Sequence, residues 1–577
     1  MTNLEIAWIF SEIADLLELK EESSFKVRAY RKAAKTIKHL SDDLGSLWKK
    51  GKLTELPGIG KNLSDKIAEL LSTGQCAFHQ RLKEEVPVTL RELLAIPGLG
   101  SKSVRLIHER LHVNNMEELE AAAKEKKIRT LPGMGSKTEL NILRSIEMLK
   151  QNAQSEVPIG VALPLANLFL NDLKRLPEVT DGAICGSLRR GKELVKDIDL
   201  LIATRNPDLV RQTVLKHPQV KDIITSGNEK SAVLTWLGVK VEVRTVSPDQ
   251  FWSALHHLTG SKEHHERLRQ RARSLGLKVN EYGIFPEGSE VSLEIKGEED
   301  IYRATGVPYI PPELREDSGE WEAALENDLP RLLELEDIKG DLHLHTSWSD
   351  GIHSIEEMAD AARRKGYEYI AITDHSRSLG IANGLSIERL QEQHALIKQM
   401  NSQSADLKIL TGVEADILQD GRLDYPDEIL EQCDVVIASI HTGFRQEMEK
   451  LTLRAEAALK NPYVHILAHP TGRILGRRKP YDIDLDRLFQ LAKAEGKALE
   501  INSSIDRLDL NAALARRAAY EFEIPIVINT DAHDVSRLEE MAYGVTTARR
   551  GWLTKEQVVN TKSKLELDKF LKRRRIE

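Results

Sequence analysis

The spacing of apolar positions changes along this chain. Over residues 4–19 they recur at helical spacing, with an apolar face through Ile9, Ile13, Leu16 and Leu17, which predicts an amphipathic helix. In the middle, Val195-Lys-Asp-Ile-Asp-Leu-Leu-Ile202 alternates with period two and predicts a strand with Asp197 and Asp199 on one face. Beyond residue 338 the pattern becomes continuous β-branched runs, which predict strands buried on both faces, as in a parallel barrel. Five such runs end at His375, Glu414, His441, His469-Pro470 and Asp531-Ala-His533. Catalytic groups in parallel barrels sit at the carboxyl ends of several different strands.

A further run, Asp341-Leu-His-Leu-His345, puts two imidazoles on one strand face, and Asp350-Gly351 closes it in a turn that can present another ligand. An isolated histidine pair is more often a surface or satisfied core feature. Here, however, nine candidate ligands converge: His343, His345, Asp350, His375, Glu414, His441, His469, Asp531 and His533. Imidazole with carboxylate suits Zn, Mn or Fe, and a set of this size implies more than one ion.

Composition changes the picture only at the edges. The chain has 577 residues, 41% hydrophobic and 30% charged, with no apolar run long enough to span a membrane. Three scattered cysteines make neither a disulfide framework nor a zinc knuckle, and the amino end reads as no signal peptide; a reducing cytoplasm is expected. The net charge of −8 argues against a general nucleic-acid coat, but local patches decide binding. One such patch lies between Phe25 and Lys52, which hold nine Lys and Arg against Asp42 and Asp43. A solvated helix face is the plain reading of that run.

A repeat shifts it. Leu56-Pro-Gly-Ile-Gly60, Ile96-Pro-Gly-Leu-Gly100 and Leu131-Pro-Gly-Met-Gly135 are each followed by a helical pattern. The paired glycines (Gly58 and Gly60, Gly98 and Gly100, Gly133 and Gly135) let backbone N–H groups approach a phosphate at the positive end of the next helix. This Pro-Gly-x-Gly core marks helix-hairpin-helix motifs, which bind DNA backbone without reading sequence. Duplex DNA, gapped or nicked, is the expected partner.

In the middle region Gly186-Ser187 precedes Asp197 and Asp199 by about ten residues, an arrangement expected to hold Mg²⁺ or Mn²⁺ with a nucleoside triphosphate. Arg190 would meet the phosphate oxygens, since its fork matches them. Gly260-Ser261, Arg269 and Val279-Asn-Glu-Tyr-Gly-Ile-Phe285 follow.

These motifs, in order, make residues 1–315 resemble a family X DNA polymerase, and residues 338–577 resemble the PHP (polymerase and histidinol phosphatase) metallohydrolases. Their union matches the bacterial branch of family X. The resemblance implies a multidomain α+β and α/β chain. It would comprise a lyase-like helix-hairpin-helix domain (1–85), a second helical DNA-binding subdomain (86–150), a nucleotidyltransferase palm (151–260), a thumb (261–315), an acidic linker acting as a tether (316–337) and a distorted (β/α)7 PHP barrel (338–577). It implies dNTPs as substrates, Gly186, Ser187, Arg190, Gly260, Ser261 and Arg269 as substrate-binding residues, and up to three ions (Mn²⁺, Zn²⁺ or Fe²⁺) in the barrel. His343, His345, Glu414 and Asp531 would hold one ion, Glu414, His441 and His469 a second, and Asp350, His375 and His533 a third. Lys66 matches the lysine that forms a Schiff base with abasic sugar in some relatives; a phosphate-binding surface lysine is the plainer reading.

Two departures stand out. The third palm carboxylate of the family is an aspartate, whereas the matching strand here carries Glu242, one methylene longer. His256-His257 stands where many relatives place an aromatic beside the incoming sugar. The expected activity is gap-filling DNA synthesis with 3′→5′ exonuclease action, to which the resemblance adds cleavage at abasic sites, in a monomeric repair enzyme without membrane association. The alternatives are a repair nuclease whose weakened polymerase half serves as a DNA platform, and a small-molecule phosphoesterase of the histidinol phosphatase type.

Overall fold

In the computed structural model the described residues are 3–572, apart from 21, 39, 41–43, 75, 87–92, 94–98, 100, 133, 136, 137, 140, 141, 144–155, 404 and 405. They form two compact units, residues 1–155 and 156–577.

The first unit is helical. Its opening helix, Asn3–Leu19, buries Ile6, Phe10, Ile13, Ala14, Leu16 and Leu17 against the helix Ser24–Lys38, while Ile9 is only half-buried. The buried face is therefore wider than the one expected. In the first Pro-Gly-x-Gly turn Gly58 has φ of +82°, and the stem of Lys32 packs at 3.0 Å from where a Cβ would stand. Gly60 caps the helix Lys61–Thr73, its carbonyl accepting from Leu63 and Ser64 N–H at 3.0 and 2.9 Å. Gly135 lies at the corresponding point before Glu139, whose N–H reaches it at 3.2 Å. Gly98, Gly100 and Gly133 lie outside the described residues.

The second unit holds palm, thumb and barrel. The palm is a five-stranded sheet in the order Val179–Ile184, Asp197–Thr204, Lys240–Val246, Lys230–Thr235 and Val220–Ser226, backed by the helix Ile159–Lys174. Asp197–Thr204 and Lys240–Val246 run parallel, with Asp199 opposite Glu242 and Asp197 opposite Lys240. The thumb follows with helices Phe251–Thr259, Lys262–Ser274 and Glu298–Ala304 and the hairpin Leu277–Asn280/Gly283–Pro286.

The barrel has seven parallel strands in sequence order: Gly340–Leu344, Tyr369–Ile372, Lys408–Asp416, Val435–Ser439, Ile466–Leu467, Ala498–Asn502 and Ile526–Asn529. Every position in these strands except Lys408 is buried, as continuous apolar runs require. Just beyond the last strand, Ala532 bridges to Leu344 of the first, with His345 N–H donating to Ala532 O at 2.9 Å, which nearly closes the ring. Helices wrap outside it; the first, Ile355–Arg364, starts in a reciprocal cap between Ser354 and Glu357.

Residues 316–337 are not a free tether. The helix Glu320–Leu325 sets Trp321 and Ala324 in the thumb core with Leu332, and Leu333 joins the barrel core. Two of the acidic side chains that suggested a tether are paired within the second unit. Glu316 bonds Arg190 at 3.0 Å and Arg550 at 3.2 Å, and Glu320, fully buried, bonds His264 at 2.8 Å. Leu475 and Leu508 from barrel loops also lie in the palm core, and Arg473 grips Glu193 of the palm through two hydrogen bonds of 2.8 and 2.6 Å. Palm, thumb and barrel thus share their cores.

Candidate functional site

At the carboxyl end of the barrel the nine side chains meet. Glu414, 1% exposed, is the hub: its carboxylate lies 2.8 Å from His375, 3.1 Å from His469, 3.3 Å from His441, 3.5 Å from His343 and 3.6 Å from His345. Asp531 stands 3.0 Å from His345 and 3.6 Å from His343. Asp350 faces His375 and His533 at 3.6 and 3.4 Å. Ligand atoms fall into three tight sets, each within 4.8 Å: His343, His345 and Glu414; His375, Glu414 and His441; and His345, Asp350, His375 and His533. The expected grouping of Asp350, His375 and His533 recurs with His345 beside it. His375 stands with Glu414 and His441 where His469 had been expected, although His469 remains in contact with Glu414.

The donor set fits metal ions. Six buried ring or carboxylate atoms here (Nε2 of His343, both ring nitrogens of His345, Nδ1 of His375, Oε2 of Glu414 and Nδ1 of His469) have no hydrogen bond of acceptable geometry. Polar atoms buried without partners are costly, and their clustering among the three ligand sets calls for cations.

Electrostatics among the side chains separate these groups. Burial opposes charge on His343, yet the carboxylates of Glu500, Glu414 and Asp531 outweigh it and hold the imidazole well above its ordinary value. Burial would likewise raise Glu414, but His441, His375 and His343 bring it well below the carboxylate range. Burial, with the charges of His533 and His375, pushes His345 down to about 3. His441 resists burial through Glu414 and Asp416 and is pushed up to about 10.

In the palm, the expected triphosphate elements are partly engaged by the protein itself. Asp197 and Asp199 share a half-buried face. Gly186, with φ of +62°, lets the chain pass against the Asp199 carboxylate, which a side chain would strike. Ser187 follows on the short helix Gly186–Arg189. Burial, then Asp197 and Glu242, push Asp199 up to about 6. Arg190 is 8% exposed, bonding Glu316 at 3.0 Å and the Thr259 carbonyl at 2.5 Å. Gly260 passes close beside it, and Ser261 caps the helix Lys262–Ser274, on which Arg269 is half-buried. Glu242 is ringed by cations: Lys230 at 2.7 Å, Lys240 at 3.1 Å and Arg244 at 3.2 Å, with Lys240 also 3.3 Å from Asp197. His256 does not line the palm. It is 1% exposed and bonds Tyr302 at 3.0 Å in the thumb core.

In the helical unit Lys66 Nζ lies 5.1 Å above the Phe78 ring, with Lys26 and Arg81 around the same ring at 5.3 and 5.5 Å, and bonds Asn62 at 2.5 Å. Three cations about one aromatic ring suit an anion.

Several residues of the barrel centre carry no motif. Asp416 accepts from His441 Nδ1 at 2.5 Å. Arg507, with its side chain only 19% exposed, lies 3.8 Å from Asp531 and has no shorter ion pair among the described residues. Glu500, fully buried, accepts from His343 Nδ1 at 2.8 Å. Asp416 follows Glu414 at the same-face spacing, a signal available in the sequence; Arg507 and Glu500 had none.

Four family models match parts of the chain. Residues 1–76 match the helix-hairpin-helix domain, 90–147 the SAM-like helix-hairpin-helix tandem, 254–316 the DNA polymerase beta thumb and 341–504 the PHP domain. The chain is 42% identical over 576 residues to the DNA polymerase/3′-5′ exonuclease PolX of Bacillus subtilis, covering 99% of this chain and 100% of that protein. The chain is also 33% identical over 234 residues to a probable phosphatase of Thermoanaerobacter sp., covering 38% of this chain and 89% of that protein. It is 34% identical over 213 residues to another from Caldanaerobacter subterraneus, covering 35% and 79%. With full-length identity at this level, the chain belongs to the PolX family, the bacterial family X DNA polymerases that carry a PHP domain.

Proposed function

We propose that this chain fills short gaps in duplex DNA at its palm and removes nucleotides from 3′ ends at its barrel, as a monomeric, cytoplasmic repair enzyme. The observation that carries the nuclease half is the gathering of seven ligand side chains into three tight sets, with His469 and Asp531 in contact with them and six buried polar atoms left without hydrogen bonds. His343, His345, Glu414 and Asp531 would hold one ion, Glu414 and His441 with His375 or His469 a second, and Asp350, His375 and His533, with His345 beside them, a third. Mn²⁺, Zn²⁺ and Fe²⁺ all suit these donors. Such ions, when bound, supply the charge that activates water and stabilises a leaving oxygen. The chain itself does the rest. Arg507 offers a guanidinium to a phosphate oxygen at the same mouth, and Asp416 fixes the ring of His441.

In the palm, Asp197 and Asp199 would hold Mg²⁺ or Mn²⁺ with the triphosphate of a dNTP, and Arg269 stands ready for phosphate. Arg190 reaches phosphate only by exchanging its bond to Glu316. The Pro-Gly-x-Gly turns and the cations around Phe78 support backbone binding of DNA, with Lys66 available to a 5′ phosphate or an abasic sugar.

The test is a labelled gapped duplex with Mg²⁺ or Mn²⁺, with and without dNTPs, scored for extension and shortening. His343→Ala and Glu414→Ala are each expected to abolish shortening while DNA binding and extension persist. Unchanged shortening in either variant sinks the assignment. A second reading, a nuclease with a weakened polymerase, draws support from the cations that hold Glu242. A purely small-molecule phosphoesterase has no use for the helix-hairpin-helix turns.

A further inference from the structure

The sixth barrel strand, Ala498–Asn502, brings no metal ligand, yet two of its side chains point into the centre. Glu500 is fully buried and all its acceptor capacity is directed. Oε1 accepts from His343 Nδ1 at 2.8 Å and from Asn529 Nδ2 at 3.0 Å. Oε2 accepts from the backbone N–H of His469 at 2.9 Å and from Asn502 Nδ2 at 3.3 Å. Asn502 Nδ2 also donates to Asp531 Oδ2 at 3.0 Å. One carboxylate and one amide thus touch three of the candidate ligands, carried by three different strands or the loops that follow them.

Each contact decides something a metal needs. A carboxylate on Nδ1 of His343 keeps a proton there, so the nitrogen that gives up its proton to a cation is Nε2, which faces Glu414 and Asp531. His469 and Asp531 have φ of +29° and +54°, a region that non-glycine residues occupy only when neighbours hold them. Glu500 holds the first through its N–H. Asn502 holds the second through Oδ2, and so turns Oδ1 toward His345.

We propose that Glu500 and Asn502 are positioning residues of the metal centre: they select the tautomer of His343 and lock His469 and Asp531 in ligating geometry. Alternation within the strand puts both on the inner face, two residues apart. Glu500 is not interchangeable with its neutral look-alike. A glutamine at 500 has one acceptor oxygen and one NH₂ group, so it must set a donor against either the imidazole N–H or the His469 N–H.

The inference rests on the barrel being a metal centre, and the experiment separates the two. Full-length wild type, Glu500→Gln, Asn502→Ala and His343→Ala are stripped of metal and titrated with Mn²⁺, followed by the EPR of free and bound ion and by metal content per chain. Glu500→Gln is expected to weaken at least one bound Mn²⁺ by about 10- to 100-fold, and Asn502→Ala to weaken it by about 10-fold. The metal-free melting temperature and gap extension by the palm report whether each variant has folded. A role in folding alone would lower melting and leave the Mn²⁺ affinity and EPR line shape of the folded fraction as in wild type. Wild-type affinity in folded Glu500→Gln overturns the proposal. Should that variant fail to fold, wild-type affinity in Asn502→Ala overturns it instead. If His343→Ala also binds Mn²⁺ like wild type, the metal centre itself has been misassigned.

Discussion

Glu242 lies opposite Asp199 across a parallel strand pair, where a third carboxylate is wanted, but Lys230, Lys240 and Arg244 hold it. Burial would raise this group, and the lysines more than cancel that, keeping it below the carboxylate range. It is therefore ionised, and the obstacles to its use are the cations that hold it and the extra methylene. A misplacement of about 1 Å can cost on the order of 10²-fold in rate. Glu242→Asp is expected to speed single-nucleotide insertion by up to that factor, with dNTP binding and 3′ shortening unchanged. Brisk wild-type insertion with no gain in the variant would remove the second reading. Asp199 sets a pH dependence. Its carboxyl, pushed up to about 6 from 3.8, must be ionised to hold a cation, so extension should fall as pH drops through about 6. Folding stability runs the other way in the metal-free protein. The raised carboxyl contributes most below 3.8, and that contribution is lost as pH rises through about 6. Extension rates and metal-free melting, both measured from pH 4 to 8, read the two trends. The barrel ligands were legible because period two and strand ends fix where an imidazole points. Glu500 and Asn502 were not, since a Glu-x-Asn on a strand has the same pattern whether it faces a metal centre or water.

Among the elements, the Pro-Gly-x-Gly turn shows why its repetition in sequence carried information. At Gly58 the left-handed backbone disfavours a side chain, whose Cβ would press on the stem of Lys32, and Gly60 caps the next helix in open space. Both features are written in the residues themselves. The segment 316–337 misled because its acidity was read as a tether, whereas Glu316 and Glu320 meet buried cationic or imidazole partners contributed by distant parts of the chain. Partnership at that separation leaves no trace in local composition, although Trp321, Leu332 and Leu333 were hints of a buried segment. If DNA affinity resides in the helical unit, a fragment of residues 156–577 should bind gapped DNA more weakly than the full chain. Each lost phosphate contact should flatten the slope of log affinity against log salt by about 0.9. Equal affinity and slope in filter-binding or anisotropy titrations would place the clamp elsewhere.

At the scale of the molecule, the second unit joins polymerase and barrel through apolar packing as well as ion pairs. Leu508, 2% exposed, belongs to the palm core although it sits on a barrel loop one residue beyond Arg507. Leu508→Ala is expected to cost about 2–5 kcal/mol, as buried leucines do, and to lower the melting of palm and barrel together. Two separate calorimetric transitions in wild type, with only one displaced in the variant, would contradict this. The shared core has a further consequence for traffic. A tethered nuclease could swing to a frayed primer, but here Leu475, Leu508, Arg473 and Arg550 bind one workshop to the other. The route between synthesis and removal then has a set length, so the nucleic acid must do the travelling. How many base pairs must melt before a 3′ terminus crosses becomes a ruler built into the fold.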